Sequence, residues 1–297
     1  MFTLAHLSDV HLPPMPWPRL RDIGLKRTLG LANWHRARKH IHRRDVLDAL
    51  VADLNAQRPD HIAVGGDLVN IGLPAELAAA QHWLEQLGGR ERVTVVPGNH
   101  DVYGGLGRDP GIERWRDYMR GETVAGADNG FPFVRRFDRI ALIALSSAVQ
   151  TPVFWASGRL GASQRQALAT CLADLGRENH CRIVLLHHPP LPGQADRRRG
   201  LEDAPELAAI LRQHGAELVL HGHNHRAMLD YLERPAGRVP IVGVPAASTL
   251  PGPHAIAARF NLFAIEPAGR NWQIAMTGRA YQAGGQLAVV QRTALTG

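Results

Sequence analysis

His61-Ile62-Ala63-Val64-Gly65-Gly66-Asp67-Leu68-Val69-Asn70 opens as an apolar run of strand length and ends in two glycines and a carboxylate. So short a run, cut off by turn residues, reads as a buried strand that delivers its polar end to the rim of a sheet. Before it, Val46, Leu47, Leu50, Val51 and Leu54 recur at helical spacing over residues 43–57, and Pro59 closes that helix. After it, a helix is predicted over residues 74–87, with proline at its first position and Gly88-Gly89 past its end. Helix, strand, helix is the unit of a parallel α/β sheet.

The same alternation extends outward. Strands are predicted at 3–8, 93–96, 139–145, 182–186 and 217–220, with helices near 110–120 and at 163–175 and 203–214. From about residue 227 the pattern becomes strand after strand, at 227–232, 239–244, 257–265 and 272–280. No linker or internal repeat separates the two patterns, so one domain over 1–297 is expected, with a β-rich part from about 227. Residues 12–41 form a long connection opened by Pro13, Pro14, Pro16 and Pro18, which forbid a regular helix there.

The chain has 297 residues, 45% hydrophobic and 21% charged, which excludes a mainly disordered or fibrous protein. No apolar run approaches the roughly 18–20 residues of a membrane crossing. The first residues are polar by position 8 and lack the apolar stretch of a secretory signal, so a cytoplasmic protein is expected. Two cysteines, Cys171 and Cys181, cannot build a disulfide framework and are expected in the core. The net charge of +7 is local: residues 19–44 carry nine Lys/Arg against one acid, Asp22. Such a basic insert, about 12–44, can meet a phosphorylated substrate, an anionic lipid surface or nucleic acid, and leaves a peripheral membrane position open.

Five polar clusters directly follow predicted strands: Asp9-Val-His11, Gly66-Asp67-Leu-Val-Asn70, Gly98-Asn99-His100-Asp101, His187-His188-Pro-Pro and His221-Gly-His223-Asn-His225. In an open α/β sheet the carboxyl ends of the strands converge on one rim, where ligands bind. Seven of the sixteen histidines lie in these clusters, and the set of carboxylate, imidazole and carboxamide without thiol suits first-row divalent metals. The two-residue spacing in Asp9/His11 and His223/His225 predicts that each pair points the same way from an extended strand end.

D-x-H, G-D, G-N-H-D, H-H-P-P and G-H-x-H, in this order over residues 9–225, resemble the calcineurin-like metallophosphoesterase superfamily. The resemblance implies an αββα sandwich of two mixed sheets with a dinuclear metal site at the strand C-terminal ends. It implies that Asp9, His11 and His225 hold a first metal, that Asn99, His187 and His223 hold a second, and that Asp67 bridges both. The implied cofactors are two divalent metal ions, Mn²⁺, Fe or Zn²⁺, sharing a hydroxide that attacks phosphorus. Asn99 and His100 would contact the substrate, and His100 would stabilise the transition state or protonate the leaving group. Asn70 stands where the family often has aspartate. That leaves two readings: Asp101 supports His100, or His100 stays neutral.

The motifs look most like the bacterial cyclic-nucleotide and nucleotide phosphodiesterases, so a phosphodiesterase acting on a phosphate ester is expected. The enzyme alternatives are a pyrophosphate hydrolase for lipid-linked nucleotides, whose members typically carry arginine at the His100 position, and a nuclease. A non-catalytic scaffold is disfavoured because all seven ligand positions are filled. The insert starts just after His11, so a cap over the site, lined by Arg and Trp, is expected. Leu20, Ile23, Leu31, Trp34 and Ile41 share one side of a helical wheel, but Leu25 and Leu29 oppose them and Gly24 and Gly30 interrupt. His188 and His221 are read as structural neighbours of the ligands. His35, His40 and His42 are read as background that adds charge to the insert at low pH, and His254 as background alone. Substrate choice is expected to lie in loops 12–41, 103–130, 146–160 and 190–203.

Overall fold

The computed structural model describes residues 1–104, 111–253 and 255–296; His254 and residues 105–110 of the second specificity loop lie outside them. The chain runs β1 (Phe2–Leu7), α1 (Leu25–Asn33), α2 (Lys39–Ile41), α3 (Arg44–Ala56), β2 (His61–Val64), α4 (Pro74–Leu87) and β3 (Val93–Val95). A 3₁₀ stretch at Gly111–Met119 leads to β4 (Glu122–Asp128), β5 (Phe131–Phe137) and β6 (Ile140–Ala144). Next come α5 (Ala162–Arg177), β7 (Cys181–Leu185), α6 (Ala204–His214) and β8 (Leu218–His221). The remaining strands are β9 (Met228–Arg234), β10 (Gly237–Gly243), β11 (Arg259–Ala268), β12 (Asn271–Tyr281) and β13 (Leu287–Ala294).

These strands make two mixed sheets, in the orders β13-β12-β11-β1-β2-β3 and β4-β5-β6-β7-β8-β10-β9. In the first, β1, β2 and β3 pair in parallel and β11 joins β1 antiparallel. In the second, β6, β7, β8 and β10 are parallel. Side-chain alternation builds the layers. Ile140, Leu142 and Ala144 of β6, with Cys181, Ile183 and Leu185 of β7, face the core shared by the two sheets. Their neighbours Ala141, Ile143 and Val184 face outward and pack under Leu168 and Leu172 of α5 and Leu207 and Leu211 of α6. On the other side Val46, Leu47, Leu50 and Leu54 of α3 lie against β11–β13. The result is the four-layer αββα sandwich expected from the motifs.

Three strands depart from the expected pattern. β4 is mostly exposed and carries no alternation of polarity. β5 contains Pro132, which argues against a strand interior. β13 alternates half-buried and exposed positions at the sheet edge, a weak signal. The β-rich tail is also divided: β9 and β10 extend the second sheet, while β11–β13 extend the first. In the insert, the helical wheel fails at its start because Leu20 and Ile23 precede the helix. Gly24 is the extended residue before α1, and Leu20 and Leu25 are 90% and 73% exposed. No helix among the described residues is long and apolar enough to cross a membrane.

The layered core makes a simple prediction. Leu185→Ala, at a fully buried central-strand position, should lower the unfolding free energy by about 2–5 kcal/mol, read from urea denaturation. Val290→Ala on β13, where the side chain is 49% exposed, should stay within about 0.5 kcal/mol. Equal effects would contradict the layering.

Candidate metal centre

The loops after β1, β2 and β3 of one sheet and β7 and β8 of the other meet at a single rim. Backbone bonds stitch them: Asp9 N donates to Gly66 O at 2.9 Å, His11 N to Asp67 O at 2.9 Å and Gly222 N to His187 O at 3.0 Å. Five site residues adopt left-handed backbone, Asp9 (φ 55°), His11 (φ 40°), Asp67 (φ 53°), His223 (φ 66°) and His225 (φ 52°). Such conformations cost roughly 1–2 kcal/mol each for residues with a Cβ. They also correct the expectation that each two-residue pair leaves an extended strand. His225 turns toward Asp9 and His11, whereas His223 turns toward His187.

Two clusters result. In one, His225 Nε2 lies 3.1 Å from Asp9 Oδ1 and 3.3 Å from His11 Nε2. In the other, His187 Nε2 lies 3.3 Å from Asn99 Oδ1 and 3.2 Å from His223 Nδ1. Asp67 stands between them, its Oδ2 at 3.3 Å from His187 Nε2 and 3.9 Å from His11 Nε2. The structure therefore brings all seven predicted ligand positions together, with His100 beside Asp67: the His100 backbone N–H donates to Asp67 Oδ1 at 2.8 Å.

The donor set passes a test of fit. Ligand atoms about 2.1 Å from one ion sit about 3.0–3.4 Å from each other, the spacing found within each cluster here. His11 Nδ1 donates to Val69 O at 3.1 Å and His187 Nδ1 to Gly65 O at 2.6 Å, so each ring is fixed with its Nε2 directed at the centre. His223 Nε2 is buried without a hydrogen-bond partner. Burial alone would raise the Asp67 carboxyl, but the imidazoles of His187, His100 and His11 hold it well below the usual carboxylate range. Burial opposes protonation of His187, yet the Asp67 carboxylate carries it up to about 9. His11 and His223 are pushed well below their ordinary value by burial.

His100 is placed differently from expectation. Its Nδ1 contacts the main-chain carbonyl of Asn70, not the Asn70 side chain, and Asp101 does not touch the ring. Burial pushes it down to about 4, with Asp67 opposing and the Arg38 guanidinium adding to the effect. The neutral ring presents Nε2 to the Arg38 guanidinium, whose Nη1 lies 3.5 Å away. Asp101 instead accepts backbone N–H groups of Asp67 (2.9 Å), Leu68 (2.8 Å), Val69 (3.2 Å) and Gly98 (2.8 Å). Glu76 does the same for Asn70, Ile71 and Leu73 at 2.8–3.1 Å. Gly98 must lack a side chain, because a Cβ there would overlap the Asp67 carboxylate and backbone nitrogen.

His188 spends both ring nitrogens on Ser147 Oγ (2.8 Å) and Ala156 O (3.1 Å), and His221 lies against Gly243 of β10. His188 thus lies beside His187 and His223 with its ring nitrogens engaged, and His221 Nε2 is buried without a partner. His42 corrects the reading of a surface histidine. It is buried, its ring centre is 4.8 Å from that of His11, and its Nδ1 pairs with Ser248 Oγ at 2.8 Å. Burial and Arg38 push it well below its ordinary value, against the expectation that it adds charge to the insert. His42, Arg38 and Glu76 were missed by sequence reasoning. The available signals were the four-residue spacing of Trp34, Arg38 and His42, and glutamate at the third position of a proline-started helix.

Asp101→Asn should test how the bridging loop is held. The amide nitrogen would face N–H donors, so unfolding free energy of metal-free protein should fall by about 2–4 kcal/mol in urea. Mn²⁺ affinity should fall with it, although the proposed ligands stay intact. Unchanged values of both would show that Glu76 alone holds the loop.

The family model for calcineurin-like phosphoesterases matches residues 2–227. A probable cyclic nucleotide phosphodiesterase of Synechococcus sp. is 26% identical over 278 residues, 91% of this chain and 90% of its own. A cAMP/cGMP dual specificity phosphodiesterase of Mycobacterium tuberculosis is 30% identical over 231 residues, 75% of this chain and 62% of its own. Among solved structures, a dimetal phosphatase from Danio rerio superposes with a TM-score of 0.62 at 14% identity, covering 98% of this chain and 99% of its own, which bears on the fold. With its sandwich, its rim of carboxylates and imidazoles and the match across three quarters of its length, the chain belongs to the calcineurin-like phosphoesterase family.

Proposed function

We propose that this protein is a metal-dependent phosphodiesterase acting on a nucleotide-type phosphodiester. In this reading Asp9, His11 and His225 hold one divalent ion, Asn99, His187 and His223 hold a second, and Asp67 bridges them. The observation that carries it is the position of Asp67 Oδ2 between two clusters of inward-facing imidazole nitrogens. The names of the Synechococcus and mycobacterial relatives support the diester and cyclic-nucleotide class. Nitrogen and oxygen donors without thiol favour Mn²⁺, Fe or Zn²⁺ over Mg²⁺.

When bound, two such ions supply Lewis acidity, activating water and neutralising charge on the phosphoryl oxygens. The chain's own groups do the rest. Asp9 and Asp67 fix the centre through backbone donors, His223 N–H to Asp9 Oδ2 at 3.0 Å and His100 N–H to Asp67 Oδ1 at 2.8 Å. His100 is locked by the Asn70 carbonyl at Nδ1, so Nε2 is its working atom. An anionic phosphoryl group beside it raises its pKa from about 4, which lets Nε2 carry a proton toward the leaving oxygen.

The first test is hydrolysis of bis-p-nitrophenyl phosphate by Mn²⁺-reconstituted protein. Turnover is expected, abolished by EDTA and absent in Asp67→Asn. No turnover despite two bound metals per chain would argue against a small-diester phosphodiesterase. His100→Ala should lower kcat by about 10²–10⁴ while keeping both metals. A parallel loss of metal would move His100 into the ligand set.

A further inference from the structure

The insert brings a guanidinium to the centre. Arg38 Nη2 lies 3.1 Å from His11 Nε2, and Nη1 lies 3.5 Å from His100 Nε2. Among the described residues no carboxylate lies within ion-pair distance of it; burial works against its charge, and Asp67 and Asp9 favour it from further away. Both acceptors are imidazole nitrogens turned toward the centre, so the two Nη groups form a two-pronged donor lying between His11 and His100. That is the place where a phosphoryl group touching both must lie.

Its position is built, not incidental. Trp34, Arg38 and His42 stand four residues apart along the helical run that continues α1 through a π-turn at Trp34–Arg38 into α2. Trp34 and His42 are buried, which holds this face of the insert against the body of the protein. His42 is tied to Ser248, and Leu250 N donates to Ile41 O at 2.8 Å. At the other end Arg27 donates to Ile71 O (3.2 Å) and Gly72 O (3.0 Å), and Lys26 Nζ to Thr151 O at 2.8 Å. Gly30 permits the contact, since a Cβ there would lie 2.6 Å from Ile71 Cγ2 and 2.7 Å from the Tyr103 hydroxyl. π-turns of this kind recur at functional sites.

We infer that Arg38, supplied by the basic insert, binds the non-bridging oxygens of the substrate's phosphoryl group and of product phosphate. This rests on the metallophosphoesterase reading above. A guanidinium fork suits phosphate oxygens better than a single ammonium.

The test compares wild type, Arg38→Ala and Arg38→Lys, all loaded with Mn²⁺, by metal analysis and by calorimetric titration with inorganic phosphate. The expected result is two metals per chain in all three and a phosphate Kd about 10- to 100-fold weaker in Arg38→Ala. Arg38→Lys should recover part of that loss. Diester hydrolysis by Arg38→Ala, but not by wild type, should rise on adding millimolar guanidinium chloride. Unchanged phosphate affinity in Arg38→Ala would overturn the inference, as would loss of metal from both variants, which would make Arg38 a support of the centre itself. Failure of the wild type to bind metal or phosphate would instead sink the enzyme reading on which it rests.

Discussion

Two carboxylates without access to water set the terms for the rest of this structure. Asp9 and Asp67 end adjacent parallel strands with 0% and 2% of their surface exposed. A buried carboxylate costs several kcal/mol unless opposite charge or donors surround it. Backbone N–H groups and imidazoles supply part of that compensation. A third buried carboxyl, Asp101, lies on the far side of the Asp67 turn, where burial and the Asp67 charge push it up to about 7. Most nearby imidazoles are pushed toward neutrality, so His187 and Arg38 are the main positive groups that face the centre. These two cations face Asp9 and Asp67, and the neutral imidazoles of His11 and His223 stand beside them at the rim.

Backbone conformation is the second half of the same constraint. An extended strand points residues two apart the same way, which cannot send His223 to His187 and His225 to Asp9. Left-handed residues at these positions break the alternation and aim each side chain separately. The strain is tolerated because the turns are over-determined. The loop that carries Asp67 is held by six N–H donors shared between the Asp101 and Glu76 carboxylates, and His187 of one sheet grips Gly65 of the other. Fold and site are therefore one object: the inter-sheet core beneath keeps the rims in register, and the polar turns close it at the top.

Much of this was legible in the residues. Strands such as His61–Val64 and helices such as Pro74–Leu87 are bounded by glycine and proline, whose backbone effects are local and so readable. The seven candidate ligand positions came through the family resemblance of the motifs, and the structure brings those side chains together at one rim. What was illegible depends on tertiary context. β4 pairs only through backbone while its side chains face water, and Pro132 in β5 spoke against a strand that its neighbours nonetheless impose. The partner of His100 is a main-chain carbonyl, which no side-chain pattern can reveal. His42 looked like one more charge in a basic run until folding buried it against His11.

The insert shows why a charge count misleads. Nine basic residues in 19–44 suggest one electrostatic surface, but they divide by geometry. Arg27 is consumed in bonds to main-chain carbonyls, and Arg43 and Arg44 pair with Asp45 and Asp48 on the exposed end of α3. Arg38 alone among them reaches the imidazoles of the centre. Because this insert leaves the chain directly after His11 and returns through His42, the same segment that ends one ligand strand also sets the roof above it. A shift of the roof would move a proposed ligand, and a change in occupancy at His11 would be felt by Arg38. Coupling of that kind follows from chain connectivity and two hydrogen-bonded nitrogens, with no need for a separate moving lid.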